Sequence, residues 1–258
     1  MIFESHAHYD DKQFDLDRDE LLLSMKENGV ETIINVGANL ESCKRTLELT
    51  RTYDFIYGAI GVHPSECQNL TEEDYQWLQK QCRLPKVAAI GEIGLDYYWE
   101  KEKEIQRKQR YWFCRQLELA RDTGLPVVIH SRDAAEDTMK LLKEIHAEDI
   151  PGVVHCFSYS AEVAAEYINM GYYIGIGGVV TFKNARKMKE VATAVPLKWI
   201  LLETDAPYLS PEPYRGSRNS SLYLTHVVDE IAALKNITTE EVIAVTRENA
   251  RNLFRKVK

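Results

Sequence analysis

The chain has 258 residues, 45% hydrophobic and 28% charged, with a formal net charge of −8. That composition excludes a disordered chain, and the acidic balance argues against a protein that coats long nucleic acid by neutralising phosphates. No basic leader precedes an apolar core and no apolar run approaches 18 residues, so neither a signal peptide nor a membrane span is expected. The first strand is expected in "IFESH" (2–6), which runs directly into His6 and His8. On a strand, side chains two apart share a face, so these two imidazoles project together. Asn28-Gly29 ends the first helix, and "TIINVG" (32–37) reads as the second strand.

"FIYGAIGVH" (55–63) follows as the third strand and ends on His63; Thr71 then caps a helix over "EEDYQWL". "VAAIGEIG" (87–94) is the fourth strand and carries Glu92 within an apolar run. Phe113, Leu117, Ala120 and Gly124 recur at helical spacing, and that helix should stop at Gly124. The next strands are "PVVIHS" (126–131) with His130, "GVVHCFS" (152–158) with His155, and "YYIGIGG" (172–178). "KWILLETD" (198–205), ending on Asp205, is the eighth. The Pro-, Gly- and Ser-rich residues 206–221 read as a long loop. Leu224, Val227, Val228, Ile231 and Leu234 draw one helical stripe, and Thr238 with Glu241 forms a capping box for a last helix over 239–255.

Most of these strands are near-continuously apolar, as expected when both faces are buried in a parallel sheet. Eight βα units in this length have the rhythm of a (β/α)8 TIM barrel, with a doubly wound open sheet as the alternative. No linker or composition break interrupts the chain, so residues 1–258 are expected to form a single domain. Five scattered cysteines without a Cys-x-x-Cys pair point to reduced thiols in a cytoplasmic protein.

The histidines then acquire a pattern. His6, His8, His63, His130 and His155 all fall at strand C-terminal ends, where a barrel assembles its active site, while His146 and His226 fall on helices. Glu92 and Asp205 join the five. A buried histidine is commonly a hydrogen-bonded core residue, but an unpaired buried carboxylate costs several kcal/mol and needs a cation or strong donors. Glu203, on the face of Asp205, reads as a supporting group or as a buried partner for a base. Imidazole with carboxylate and no thiolate suits zinc, manganese, iron or magnesium. His6, His8, Glu92, His130, His155 and Asp205 are too many ligands for one catalytic ion with an open position. Two divalent ions (Mg, Mn or Zn) sharing a carboxylate fit better.

The blocks "ESHAHYD", "GVHP", "AIGEIGLDYY", "VVIHSRDA", "VHCFS" and "LLETDAPYL…PYRGSRN" resemble, in order from residue 4 to 219, the TatD-type deoxyribonucleases of the metallo-dependent hydrolase superfamily. The resemblance implies a (β/α)8 barrel with a divalent metal centre. It implies that His6, His8, Glu92 and Asp205 hold one ion and that Glu92, His130 and His155 hold the other, with Glu92 as bridge. It further implies that Asp205 orients the attacking water and accepts its proton, so that Glu92 and Asp205 are the catalytic pair. His63 then faces the scissile phosphate, and Arg132, Arg215 and Arg218 are candidate phosphate contacts. Two departures stand out: Tyr159 where the family often has Gly, and "RGSRNSS" (215–221) where it often has "RGKRNEP", so that Ser217, Ser220 and Ser221 replace Lys, Glu and Pro.

The function so implied is hydrolysis of DNA phosphodiesters, from the 3′ ends of single strands, with no membrane association and no obligate protein partner. Tyr97, Tyr98, Trp99 and Tyr208 are candidates to stack on bases. The alternative keeps barrel and metals but cleaves an ester or amide, as amidohydrolase relatives do, including an aminoacyl-tRNA deacylase. Many of those relatives bridge their ions with a modified Lys, and this chain has Glu92 at that strand. A third reading, a metal-stabilised barrel that only binds a partner, is disfavoured by the complete ligand set.

Overall fold

In the computed structural model, which describes residues 1–257, eight strands lie in chain order in one parallel sheet. They are β1 (Ile2–Ala7), β2 (Val30–Val36), β3 (Ile56–Ile60), β4 (Val87–Asp96), β5 (Val127–Arg132), β6 (Gly152–Val154), β7 (Tyr172–Ile176) and β8 (Ile200–Leu202). The two sheet ends meet where Ala7 bridges Ala206. There the His8 amide donates to Ala206 O at 2.7 Å and the Asp205 amide donates to His6 O at 3.0 Å. The expected TIM barrel is thus the observed one, and its seam closes at the level of the first histidine pair.

Helices fill the crossovers: α1 (Arg18–Ser24), α2 (Leu40–Thr52), α3 (Glu72–Gln81), α4 (Lys103–Thr123), α5 (Ala135–Glu144), α6 (Ala161–Asn169) and α7 (Arg186–Ala194). The chain ends with α8 (Leu224–Lys235) and α9 (Thr239–Leu253). Local chemistry sets their ends. Thr71 accepts from the Asp74 amide at 3.2 Å while Asp74 accepts from the Thr71 amide at 3.0 Å, and α4 stops at Gly124 with φ +65°. Among the described residues, no helix is long and apolar enough to cross a membrane.

Alternate residues of each strand point into the barrel. Ile34, Val36, Val128, Val153 and Leu201 pack inside with Phe3, and Phe254 at the end of α9 stacks on Phe3 with ring centroids 5.9 Å apart. Each such fully buried side chain contributes about 1.5–3 kcal/mol. The parity has a consequence: His130 lies two residues past Val128, His155 two past Val153, and Glu203 and Asp205 two and four past Leu201. The apolar floor and the polar mouth are successive layers of the same face.

Three strands are shorter than their apolar runs. β3 stops at Ile60, before His63, because the chain turns there into a helical turn, Pro64–Asn69, with His63 as its N-cap. β6 and β8 stop at Val154 and Leu202. Beyond them Cys156 (φ +44°) and Asp205 (φ +59°) adopt left-handed conformations that a ladder does not accommodate. The first helix also ends early, at Ser24, with turns carrying the chain to Gly29 at φ +88°.

Glu4, fully buried beneath the seam, ties β1 to β8. It accepts from the amides of His6 (3.1 Å) and Thr204 (3.0 Å) and from the hydroxyls of Thr204 (2.7 Å) and Ser221 (2.8 Å). Burial pushes its carboxyl up to about 7 despite these donors. Ser221 is one of the departures noted above; its hydroxyl, which also accepts from Tyr9 at 2.9 Å, completes the network. Tyr159, the other, accepts from the Ala134 amide at 3.1 Å and bonds Ser131 at 3.0 Å, bracing the turn after β5.

Candidate metal centre

The strand C-terminal ends surround a cavity of about 840 Å³ lined by His8, His63, Glu92, His130, His155 and Asp205 among others. Glu92 stands at its centre, only 4% exposed. One of its oxygens, Oε2, lies 3.6 Å from His6 Nε2 and 3.8 Å from His8 Nε2. Asp205 Oδ1 lies 3.6 Å and 3.3 Å from the same two nitrogens, which are 3.0 Å apart. An ion with ligand bonds of about 2.0–2.2 Å spaces its ligands about 3–3.5 Å from one another. The four atoms therefore outline one coordination shell.

The other oxygen of Glu92 serves a separate set. Oε1 lies 2.7 Å from His155 Nε2 and 2.9 Å from His130 Nδ1, and these nitrogens are 3.4 Å apart. The six residues singled out as metal ligands are thus brought together, in two groups that share Glu92.

Outer contacts orient the imidazoles. His8 donates from Nδ1 to Val36 O at 2.7 Å, which leaves Nε2 as a lone pair facing the cavity. His130 Nε2 contacts Asp96 Oδ2 at 3.1 Å, which leaves Nδ1 for the centre. Asp96 is itself held by the amides of Tyr98 (2.9 Å) and Trp99 (3.0 Å) on Oδ1. Asp96 carries only a weak signal in the sequence, an acid four residues past Glu92 on the same strand parity. Among the described residues His155 Nδ1 has no hydrogen-bond partner; it lies 3.9 Å from Glu203 Oε1, which accepts from the Cys156 amide at 2.5 Å. Glu203 thus stands behind His155, where the supporting role was expected. Burial pushes its carboxyl up to about 8.

His63 also approaches, with Nε2 3.6 Å from Glu92 Oε1. Its Nδ1 accepts from the Ser65 amide at 3.2 Å. A backbone N–H can only donate, so in neutral His63 the proton sits on Nε2. Burial and the nearby His130 hold its pKa down to about 3, so neutral it is. In that tautomer His63 offers the cavity a donor, while with Glu92 and His130 it also forms a group that could hold an ion. The stacked pair His6 and His155, with centroids 3.9 Å apart and planes within 9°, present faces rather than lone pairs to each other.

The electrostatics show a site built for positive charge. Burial opposes ionisation of Glu92, but His155 and the hydrogen bond from His130 outweigh it and hold the carboxyl well below the usual range. Burial also disfavours charge on His8 and His130. Asp205 and Glu92 overcome it at His8, raising it to about 10, and Asp96 and Glu92 do so at His130, raising it to about 9. Without a cation the carboxylates collect protons on these rings; a divalent ion replaces them.

The candidate substrate contacts divide. Arg132 lines the cavity, its guanidinium 4.2 Å from the Tyr98 ring centroid and 5.6 Å from that of Trp99. Trp99, 67% exposed, and Tyr208 also line it. Arg215 and Arg218 are not among the lining residues. Arg215 lies over Phe182 at 4.3 Å, and Arg218 donates to both oxygens of Asp17, at 2.7 and 2.5 Å, and to Gln13 O at 2.7 Å. Tyr97 is turned away, donating to Asp137 at 2.7 Å.

A parallel eightfold barrel with imidazoles and carboxylates converging at its strand ends defines a metal-dependent hydrolase of the metallo-dependent superfamily. The family described as TatD related DNase matches residues 3–255, and the chain belongs to it. It is 46% identical over 256 residues to the uncharacterized metal-dependent hydrolase YabD of Bacillus subtilis (strain 168), covering 99% of both chains. It is 34% identical over 257 residues to the uncharacterized metal-dependent hydrolase YcfH of Escherichia coli (strain K12), covering 98% of this chain and 96% of that protein. Among solved structures it matches the TatD homologue YjjV of Escherichia coli K12 with a TM-score of 0.91 and 31% identity, over 98% of each chain.

Proposed function

We propose that this protein is a two-ion phosphodiesterase that removes nucleotides from the 3′ ends of single-stranded DNA. The observation that carries this reading is the divided Glu92 carboxylate, with Oε2 facing His6 and His8 and Oε1 facing His130 and His155. In this reading His6, His8 and Asp205 hold one ion, His130 and His155 the other, and Glu92 both. Bound there, divalent ions supply Lewis acidity to the phosphate and acidify water.

The chain's own groups do the rest. Asp205, at the edge of the first set, orients the attacking water and takes its proton on the carboxylate. His63 donates from Nε2–H to a non-bridging phosphate oxygen, where charge grows in the transition state. Arg132, backed by Tyr98 and Trp99, meets the next phosphate, and Trp99 and Tyr208 offer rings to bases. The acidic chain suits an enzyme that grips strand ends better than one that coats duplex. Five free cysteines, three of them buried, accord with a cytoplasmic setting.

The test is hydrolysis of end-labelled single-stranded DNA by EDTA-stripped protein with Mg²⁺, Mn²⁺ or Zn²⁺ restored, beside Glu92→Ala. Laddering from the 3′ end that needs both metal and Glu92 is expected. No cleavage with any ion overturns this reading and moves the site to ester or amide substrates.

A further inference from the structure

Beside the metal centre lies a second, smaller cavity of about 270 Å³, between the end of β7, the start of α7 and the loop of residues 206–221. It shares Cys156, Ser158, Val179, Asp205 and Leu209 with the main cavity, so the two spaces adjoin with Asp205 at their common border. Phe157, Val179, Met188 and Leu209 give it apolar walls, and Asn184 and Lys187, both exposed, stand on its rim.

The slot is built by close backbone packing. A Cβ on Gly178 would lie 2.2 Å from Leu209 O and 3.0 Å from Pro211 N, so only glycine lets the loop backbone settle there and carry Leu209 to the slot. Leu209 itself is held at φ +55°. A Cβ on Gly175 would lie 2.2 Å from Glu203 Oε2, so this glycine leaves room for the carboxylate beneath.

We infer that this slot receives the base of the terminal nucleotide, the one released when the phosphodiester at the metal centre is cleaved. The inference rests on the phosphodiesterase reading given above and adds to it the part that recognises an end. A nucleobase has apolar faces and a polar edge, which suits apolar walls with a carboxamide and an ammonium at the rim. Met188 adds a polarizable thioether that packs well on aromatic rings. A space of this volume is large enough for one base beside the metal centre. A base held there would set the adjacent phosphodiester against the metal centre, which is how the slot would help select the terminal nucleotide.

The experiment compares three substrates with the metal-loaded wild type: a single strand with a normal 3′-terminal nucleotide, the same strand with an abasic one, and bis(p-nitrophenyl) phosphate. The abasic end should lower kcat/KM by about 10-fold or more, the range of one stacked base. Ala185→Phe, which fills the slot from its α7 edge, should cut the rate on the normal end to that on the abasic end and leave bis(p-nitrophenyl) phosphate hydrolysis unchanged. Calorimetry adds a binding readout: deoxyadenosine 5′-monophosphate should bind wild type about 10-fold more tightly than deoxyribose 5-phosphate, and Ala185→Phe equally with it. Equal rates on normal and abasic ends, with hydrolysis intact, would overturn the slot and leave the phosphodiesterase reading standing. Failure of all three substrates would remove that reading, and the slot's role with it. Should Ala185→Phe not fold, the wild-type comparison still decides.

Discussion

Asp96 Oδ2 meets His130 Nε2 at 3.1 Å while the other ring nitrogen, Nδ1, lies 2.9 Å from Glu92 Oε1. One imidazole is thereby clamped between two buried carboxylates, one structural and one central. Asp96→Asn keeps the shape but removes the charge that makes His130 a stronger donor. Metal affinity of the His130 group should fall about 10–100-fold, with the fold intact. Titration calorimetry on EDTA-stripped protein reads this directly; unaltered affinity would make Asp96 a mere loop anchor for Tyr98 and Trp99.

His63 separates ligand from donor. Its Nδ1 accepts from Ser65, so Nε2–H faces Glu92 and the cavity. His63→Ala should leave metal content unchanged and lower kcat on DNA by about 100-fold, the order expected for losing one preorganised donor. Elemental analysis of the purified variant decides the matter, because a fall in bound metal would place His63 among the ligands.

Proton release should accompany metal binding. In the metal-free protein His8 is raised to about 10 and His130 to about 9, so both are protonated at pH 7. A ligating imidazole must be neutral, so loading the site expels these protons and affinity should climb as pH rises from 6 to 8. The sign follows from the raised values: lower pH stabilises the protonated, metal-free form. Calorimetry in two buffers of different ionisation enthalpy measures the count, and zero released protons would contradict it.

Gly94 shows how tightly β4 is seated. It lies at φ +146° opposite His130, and a Cβ there would come within 1.9 Å of His130 O. Gly94→Ala combines a forbidden backbone conformation with a clash against backbone, at a cost of about 2–4 kcal/mol. Because the strand must separate from β5 to relieve it, metal content should fall along with the denaturation midpoint. A stable variant with full metal content would mean that β4 and β5 adjust more freely than their pairing suggests.

Much of this was legible in the sequence because a parallel barrel converts position along a strand into position in space. An apolar run followed by His or Asp already says that the polar residue lies at the mouth, as His130 and Asp205 do. What escaped reading depended on side-chain reach. Asp96 sits past an apolar residue in an unremarkable "GLDYY", and its role appears only when His130 arrives from the neighbouring strand. Glu4 carries no signal of its own before "SHAH"; the closing seam surrounds it with four donors supplied by His6, Thr204 and Ser221. Strand ends were read too long for the same reason: the apolar pattern continues past Ile60 and Val154, while the backbone turns to aim a histidine.

Arg132 and Arg218 test how far loop charge reports on substrate. Arg132 lines the cavity with its guanidinium 4.2 Å from the Tyr98 ring centroid. Arg218 instead spends its donors on Asp17 and Gln13, tying the 206–221 loop to the start of α1, and Asp17 is held below the usual carboxylate range, first by that hydrogen bond. An arginine already neutralised by a carboxylate releases no counterion when DNA binds. Arg132→Ala should therefore reduce the slope of log K against log salt by about 0.7 for a single strand, whereas Arg218→Ala should leave that slope unchanged and loosen the loop. Fluorescence anisotropy of a labelled oligonucleotide over a salt series reads both slopes. A reduced slope for Arg218→Ala would mean that DNA displaces Asp17, and the loop would then close on substrate by exchanging one anion for another.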